Sequence, residues 1–276
     1  MFKKIPFAFF IVLPFFISCA SLSEVHDYAT ASVVALNKMD TLDYTFNDYC
    51  RRDCELQQMR LGEITPVFNC NCQEAAANAD DAIQKIHLTM VAYLTAIAQL
   101  SNNKNFSYDA SGLAAALQKS TLLQLNDKQV AATKKAGNFI ATAATTFYRK
   151  KKLKEYMGQA DSVFHDLTET FIYLVDNRLR AQLQFEYDAR VPNIKQMVDN
   201  TSDKGMKQLF VKLYLDEKAY YNRHIALIDA YVTVLKLVQK GYHDLYTHRY
   251  NLKDESIKDL VKHYSQDLQY ITSSIK

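Results

Sequence analysis

Cys50, Cys54, Cys70 and Cys72 are the residues of this 276-residue chain best placed by type and spacing to do chemistry. Three chemistries compete for them. A zinc site would use four thiolates, but C-x-C is tighter than the two-residue spacing common in zinc knuckles, and no histidine lies nearby. A redox pair more often reads C-x-x-C. Disulfides suit the pattern best. Positions four apart share a helix face, so Cys50 and Cys54 point the same way, and Cys70 and Cys72 stand just before a returning helix. In an antiparallel hairpin this favours a nested pairing, Cys54 with Cys70 and Cys50 with Cys72, among the three connectivities that four cysteines allow.

The other reactive side chains are more scattered. The seven histidines form no H-x-x-x-H pair and no E-x-x-H pair of the di-iron kind, so no metal site is assigned. No G-x-S-x-G, phosphate loop or H-E-x-x-H occurs, and six glycines leave little material for oxyanion holes. No catalytic residue and no cofactor are expected. Tyrosine is abundant, 18 residues against no tryptophan, and the last long helical segment carries Tyr221, Tyr231 and Tyr242 on one stripe with His224. Those four could line a ligand groove or a partner surface. The plainer reading makes them core-boundary residues, rings inside and hydroxyls wet. Arg149, Lys150, Lys151, Lys152 and Lys154 form a charge cluster that could touch an anionic surface, although such runs more often form a solvated face.

The elements that must position these residues are helices. Glycine and proline are scarce, which argues against a turn-rich sheet fold. Ala79, Ile83, Ile86, Met90, Tyr93, Ile97 and Leu100 alternate spacings of four and three, one face of a helix. Tyr221, His224, Ile228, Tyr231, Leu235, Val238, Tyr242 and Leu245 keep the strictest pattern. A first helix is expected from a Ser21–Glu24 capping box to about Arg60. Asn126 with Gln129 reads as another cap. A helix through Phe164, Leu167, Phe171, Leu174 and Phe185 is expected to stop near Val191, because Pro192 follows. The fold class is therefore all-α: an elongated antiparallel helical bundle with coiled-coil-like heptad packing and a disulfide-stapled first hairpin.

The N-terminus sets location. Lys3 and Lys4, an apolar run from Ile5 to Ile17 and small residues Ser18, Cys19 and Ala20 have the order of a secretory signal peptide. The run is too short to span a bilayer, which takes about 20 helical residues. Cleavage after Ala20 by ordinary signal peptidase fits. Phe16-Ile17-Ser18-Cys19 also resembles the lipobox of bacterial lipoproteins, although Phe16 stands where leucine is usual. That resemblance implies a diacylglyceryl thioether on Cys19 and an acyl chain on its freed amine. It also leaves an even four of the five cysteines. The domains expected are a signal peptide over 1–18 and one helical domain over 19–276.

Lys3 and Lys4 account for two of the 33 basic residues, so the remainder nearly balances the 30 acidic ones. That balance excludes the basic footprint of nucleic-acid binding. The function expected is a non-enzymatic envelope lipoprotein: a helical scaffold or interaction module, bound to the membrane through Cys19 and to a protein partner. Lack of an aspartate at Ala20 or Ser21 points to the outer membrane, facing the periplasm, by resemblance to enterobacterial sorting. The alternatives are a bundle holding a small ligand among Tyr221, His224, Tyr231 and Tyr242, or a secreted membrane-active helical toxin.

Overall fold

The computed structural model describes residues 22–61, 72, 74–102, 112–145, 153–252 and 254–275. Cys19, Cys70 and Arg149 to Lys152 lie outside them. Among the described residues the secondary structure is all helical, as the sequence predicts. In chain order these are α1 (Ser23–Leu36), a 3-10 turn (Asn37–Leu42), α2 (Phe46–Leu61), α3 (Ala75–Ser101), α4 (Leu113–Lys119) and α5 (Asp127–Thr145). Then come α6 (Leu153–Ile172), a π-helical stretch (Tyr173–Leu179), α7 (Arg180–Asn200), α8 (Lys204–Thr247) and α9 (Glu255–Ser274). α1 packs against α3 and α9, α6 against α5, α3 and α8, and α7 against α8.

Three expectations about helix limits are corrected, each for a local reason. The first helix does not reach Arg60 unbroken. After the 3-10 turn Asp43 adopts a left-handed conformation, φ 48°, which aspartate tolerates better than most residues. A new helix then starts with its own cap: Thr45 Oγ1 accepts from the Asp48 amide at 3.0 Å, and Asp48 Oδ2 accepts from the Thr45 amide at 3.1 Å. Asp80 on α3 adds a second cap by accepting from the Phe46 and Asn47 amides at 2.9 and 3.1 Å. α1 itself begins at Ser23, with Leu22 at the capping position and no side-chain cap there.

Pro192 does not end its helix. α7 runs through it to Asn200. Pro192 is exposed, so the carbonyl it cannot satisfy lies on the solvent side, and the neighbouring Asn193 side chain donates to Ala189 O at 2.6 Å.

Phe185 is 59% exposed rather than buried. Phe164, Leu167, Phe171 and Leu174 are buried as their spacing predicts. Between Tyr173 and Leu179 the helix widens, and the Arg180 amide donates to Val175 O, five residues back. One extra residue in the turn advances the stripe by one position. The buried positions that follow are Leu179, Leu183, Glu186, Arg190, Val191 and Ile194.

The predicted stripes of α3 and α8 are buried throughout. Tyr28 donates to Val238 O and Tyr231 to Leu36 O. His224 reaches Asp43 O and Arg52 reaches Glu217. The chain from α1 to α2 therefore runs antiparallel to α8. The Asn126–Gln129 cap of α5 forms as expected, reciprocally at 3.0 and 2.9 Å.

A buried charge cluster as the candidate functional site

Cys50 and Cys72 form a disulfide, Cα atoms 5.6 Å apart, tying α2 to the segment that leads into α3. Cys54, one turn along α2, is also disulfide-bonded; Cys70, its expected partner, lies outside the described residues. The bridge anchors α2, and α2 carries Arg52 inward.

Arg52 is the hub of a cluster drawn from three helices. Its Nε donates to Glu186 Oε1 and its Nη2 to Glu217 Oε2 at 2.6 Å and to the Tyr221 hydroxyl at 3.0 Å. Arg190 Nη2 donates to Glu217 Oε1 at 3.0 Å, and its Nη1 to the Arg52 carbonyl at 2.9 Å, with Glu55 Oε2 3.6 Å away. Tyr221 and Tyr44 donate to the two oxygens of Glu186 at 2.6 and 3.0 Å. The Tyr220 ring stacks on Arg52, whose Cζ lies 4.1 Å from the ring centroid. Glu186 is 2% and Arg190 5% exposed, a burial such charges accept only when paired.

The electrostatics follow from that burial. The phenols of Tyr44 and Tyr221 are pushed well above the ordinary tyrosine range, first by burial and then by the Glu186 carboxylate. Burial also pushes Tyr220 up to about 12, against the pull of the Arg52 charge. Arg52 keeps its proton more tightly than usual, since the Tyr221 and Glu186 bonds outweigh its own desolvation. Every carboxylate oxygen of Glu186 and Glu217 already accepts a hydrogen bond. The cluster's chemistry is internal: it fixes the register of α2, α7 and α8.

Tyr221 and His224 belong to or border this cluster; His224 faces Tyr220 O at 2.8 Å and Asp43 O at 3.2 Å. Tyr231 and Tyr242 lie farther along α8, fully enclosed, bonded to Leu36 O at 2.9 Å and Met157 O at 3.2 Å. The four predicted residues share a stripe but not a cavity. The three tyrosine hydroxyls are bonded inside rather than wet. Four grooves on the described surface are lined by other residues, the largest about 810 Å³ between α1 and α9. Lys154, the described member of the basic run, donates to Tyr250 O at 3.3 Å and lies over the Tyr250 ring.

Among the described residues no group of histidine, cysteine and acidic side chains is arranged to hold a metal, and no helix is long and apolar enough to cross a membrane. Sequence reasoning missed Arg52, Glu186, Arg190, Glu217 and Tyr44. Glu217 was findable, since an acid four residues before Tyr221 and seven before His224 sits on the apolar stripe of α8 and needs a buried cation. No family model, curated protein or solved structure matches the chain.

Proposed function

We propose that this protein is a membrane-anchored envelope lipoprotein, held by lipid on Cys19, whose helical body serves as a scaffold or protein-interaction module without enzymatic activity. The observation that carries this reading is the contrast between interior and far end. The tyrosines and charges of the core bond one another, whereas Leu61 at the end of α2 and Met206 and Leu209 near the start of α8 stand 46–64% exposed. Large exposed apolar side chains gathered in one place mark interaction surfaces. α1 begins beside the C-terminal part of α8, opposite that apolar face, which suits an anchor attached a few residues before it. The outer membrane facing the periplasm is the location the leader favours.

The small-ligand reading has less support, because Tyr221, His224, Tyr231 and Tyr242 face their own neighbours. The test is intact mass analysis of the protein purified from membranes. The expected N-terminus is Cys19 carrying a diacylglyceryl group and an acylated amine. An unmodified chain starting at Ser21 overturns the anchor.

A further inference from the structure

The end of the molecule away from α1 is open. There α2, α7 and α8 continue past the Cys50–Cys72 bridge. α8 has no buried residue over its first three turns, from Lys204 to Asp216. Met206, Leu209 and Leu213 nevertheless continue, at spacings of three and four, the stripe that bears Glu217, Tyr221 and His224 farther on. Beside them a groove of about 440 Å³ runs between α2 and α7, floored by Leu56, Met59, Met197 and Phe210. Its methionines can repack around an inserted side chain. The stripe has the pattern of a core face, yet among the described residues Met206 and Leu209 stay exposed.

The charge around this flank is one-sided. Asp203 caps α8 by accepting from the Met206 amide at 2.7 Å. Asp199 pairs with Lys195, and Asp216 with Lys212. Arg60, which lines the groove, and Lys207, one turn before Phe210 on α8, form no ion pair among the described residues. Those acids are engaged and these two cations are not.

We propose that this flank of α2, α7 and α8 docks an amphipathic helix of a partner protein, apolar on one face and acidic along its edges. The inference deepens the interaction-module reading and rests on it. An apolar groove takes an amphipathic helix through anchors at i, i+3, i+4 and i+7, and complementary charge sets the choice among such helices. A second copy of this chain would bring the same unpaired cations face to face. A bilayer meeting this end would first have to bury the polar turn of Asn200, Thr201, Ser202 and Asp203, because the apolar side chains lie along the flank rather than at its tip.

The experiment uses the mature full chain and three labelled helical peptides of about four turns. All carry one leucine stripe, flanked by Glu, Gln or Lys, and binding is read by fluorescence anisotropy. The Glu peptide should bind about tenfold more tightly than the Lys peptide, and added salt should narrow that gap. The double change Arg60→Glu and Lys207→Glu, at two exposed positions, should reverse the order. Met197→Asp should weaken all three peptides while leaving the far-ultraviolet spectrum unchanged.

Equal binding of the three peptides, no binding, or no effect of either variant overturns the proposal. Salt-dependent binding to phosphatidylglycerol vesicles that Met197→Asp abolishes would give the face to a membrane. A dimer in sedimentation that Met197→Asp dissociates would give it to a second copy. A lipidated Cys19 together with failure of the peptide arm removes this docking site and leaves the module reading standing. Peptide binding with an unmodified N-terminus does the reverse.

Discussion

α8 passes through two interiors built on opposite plans. Around Tyr242 the core is aromatic and neutral: Tyr93 stacks on Phe164 with centroids 4.6 Å apart and meets Tyr242 edge-on at 5.4 Å. The hydroxyls of Tyr93 and Tyr242 bond each other, and Tyr242 also reaches Met157 O. Around Glu217 the core is charged, two guanidiniums against two buried carboxylates. A phenol needs one partner and carries no charge, so each ring in the first region is nearly self-sufficient. A buried ion needs its counter-ion, so each member of the second depends on the others. The same helix thus carries a tolerant segment and a segment that works only as a set.

The largest effect expected comes from breaking the set. Glu186→Ala should cost about 3–5 kcal/mol, because Arg52 would lose a counter-ion inside the protein. Tyr44 and Tyr221 would lose their acceptor in the same change. Replacing the whole quartet by Arg52→Met, Glu186→Leu, Arg190→Met and Glu217→Leu should cost much less, since no charge is then left unpaired. Urea unfolding of the two variants compares them directly. If the quartet variant is as unstable as Glu186→Ala, the charges do not form a dependent set.

The aromatic region is sensitive to volume instead. A Cβ at Gly241 would lie 2.6 Å from Tyr28 Cε2 and 3.0 Å from its Cζ. Tyr28 is fully buried, with its hydroxyl on Val238 O, so the ring cannot swing aside. Gly241→Ala should destabilise by about 1–3 kcal/mol through overpacking. Adding Tyr28→Leu should recover part of that loss, and a double-mutant cycle by thermal unfolding measures the recovery. Strict additivity would show that the two residues do not collide.

The two regions also differed in how far the sequence revealed them. The aromatic stripe repeats at three and four residues over six turns, and Tyr221, Tyr231 and Tyr242 are buried where that period puts them. The Cys50–Cys72 bridge was legible for the same reason, since helix geometry and an antiparallel return leave few pairings. The charged cluster was not. Spacing from Phe164 to Leu174 carries the eye to Phe185, and only the wide turn at Tyr173–Leu179 moves the inward position to Glu186. A π turn arises from packing among distant segments, so no local residue pattern announces it. Pro192 misled for a related reason: its effect depends on which side of the helix faces water.

The smallest effect expected sharpens the comparison at the neutral end. His87 stacks on Phe171, its Nε2 lies 3.1 Å from Leu36 O, and its Nδ1 is buried without a hydrogen-bond partner. The carbonyl requires Nε2 to carry the proton, so the uncharged ring fits with Nδ1 bare, and a second proton would point at nothing. Burial accordingly lowers the His87 pKa from the ordinary histidine value, while Asp40 and the Leu36 carbonyl pull weakly the other way. The depressed value fixes the sign. Above the unfolded pKa of about 6.5 the contribution to stability is fully present. As pH falls below that value the unfolded chain takes a proton that the folded ring refuses, and stability declines until the folded pKa is passed. His87→Gln removes this proton uptake while keeping a donor for Leu36 O. Its urea midpoint should therefore fall less than that of the parent between neutral pH and the lower edge of histidine titration. Parallel pH profiles for the two proteins would mean that His87 is not the neutral core residue its surroundings require.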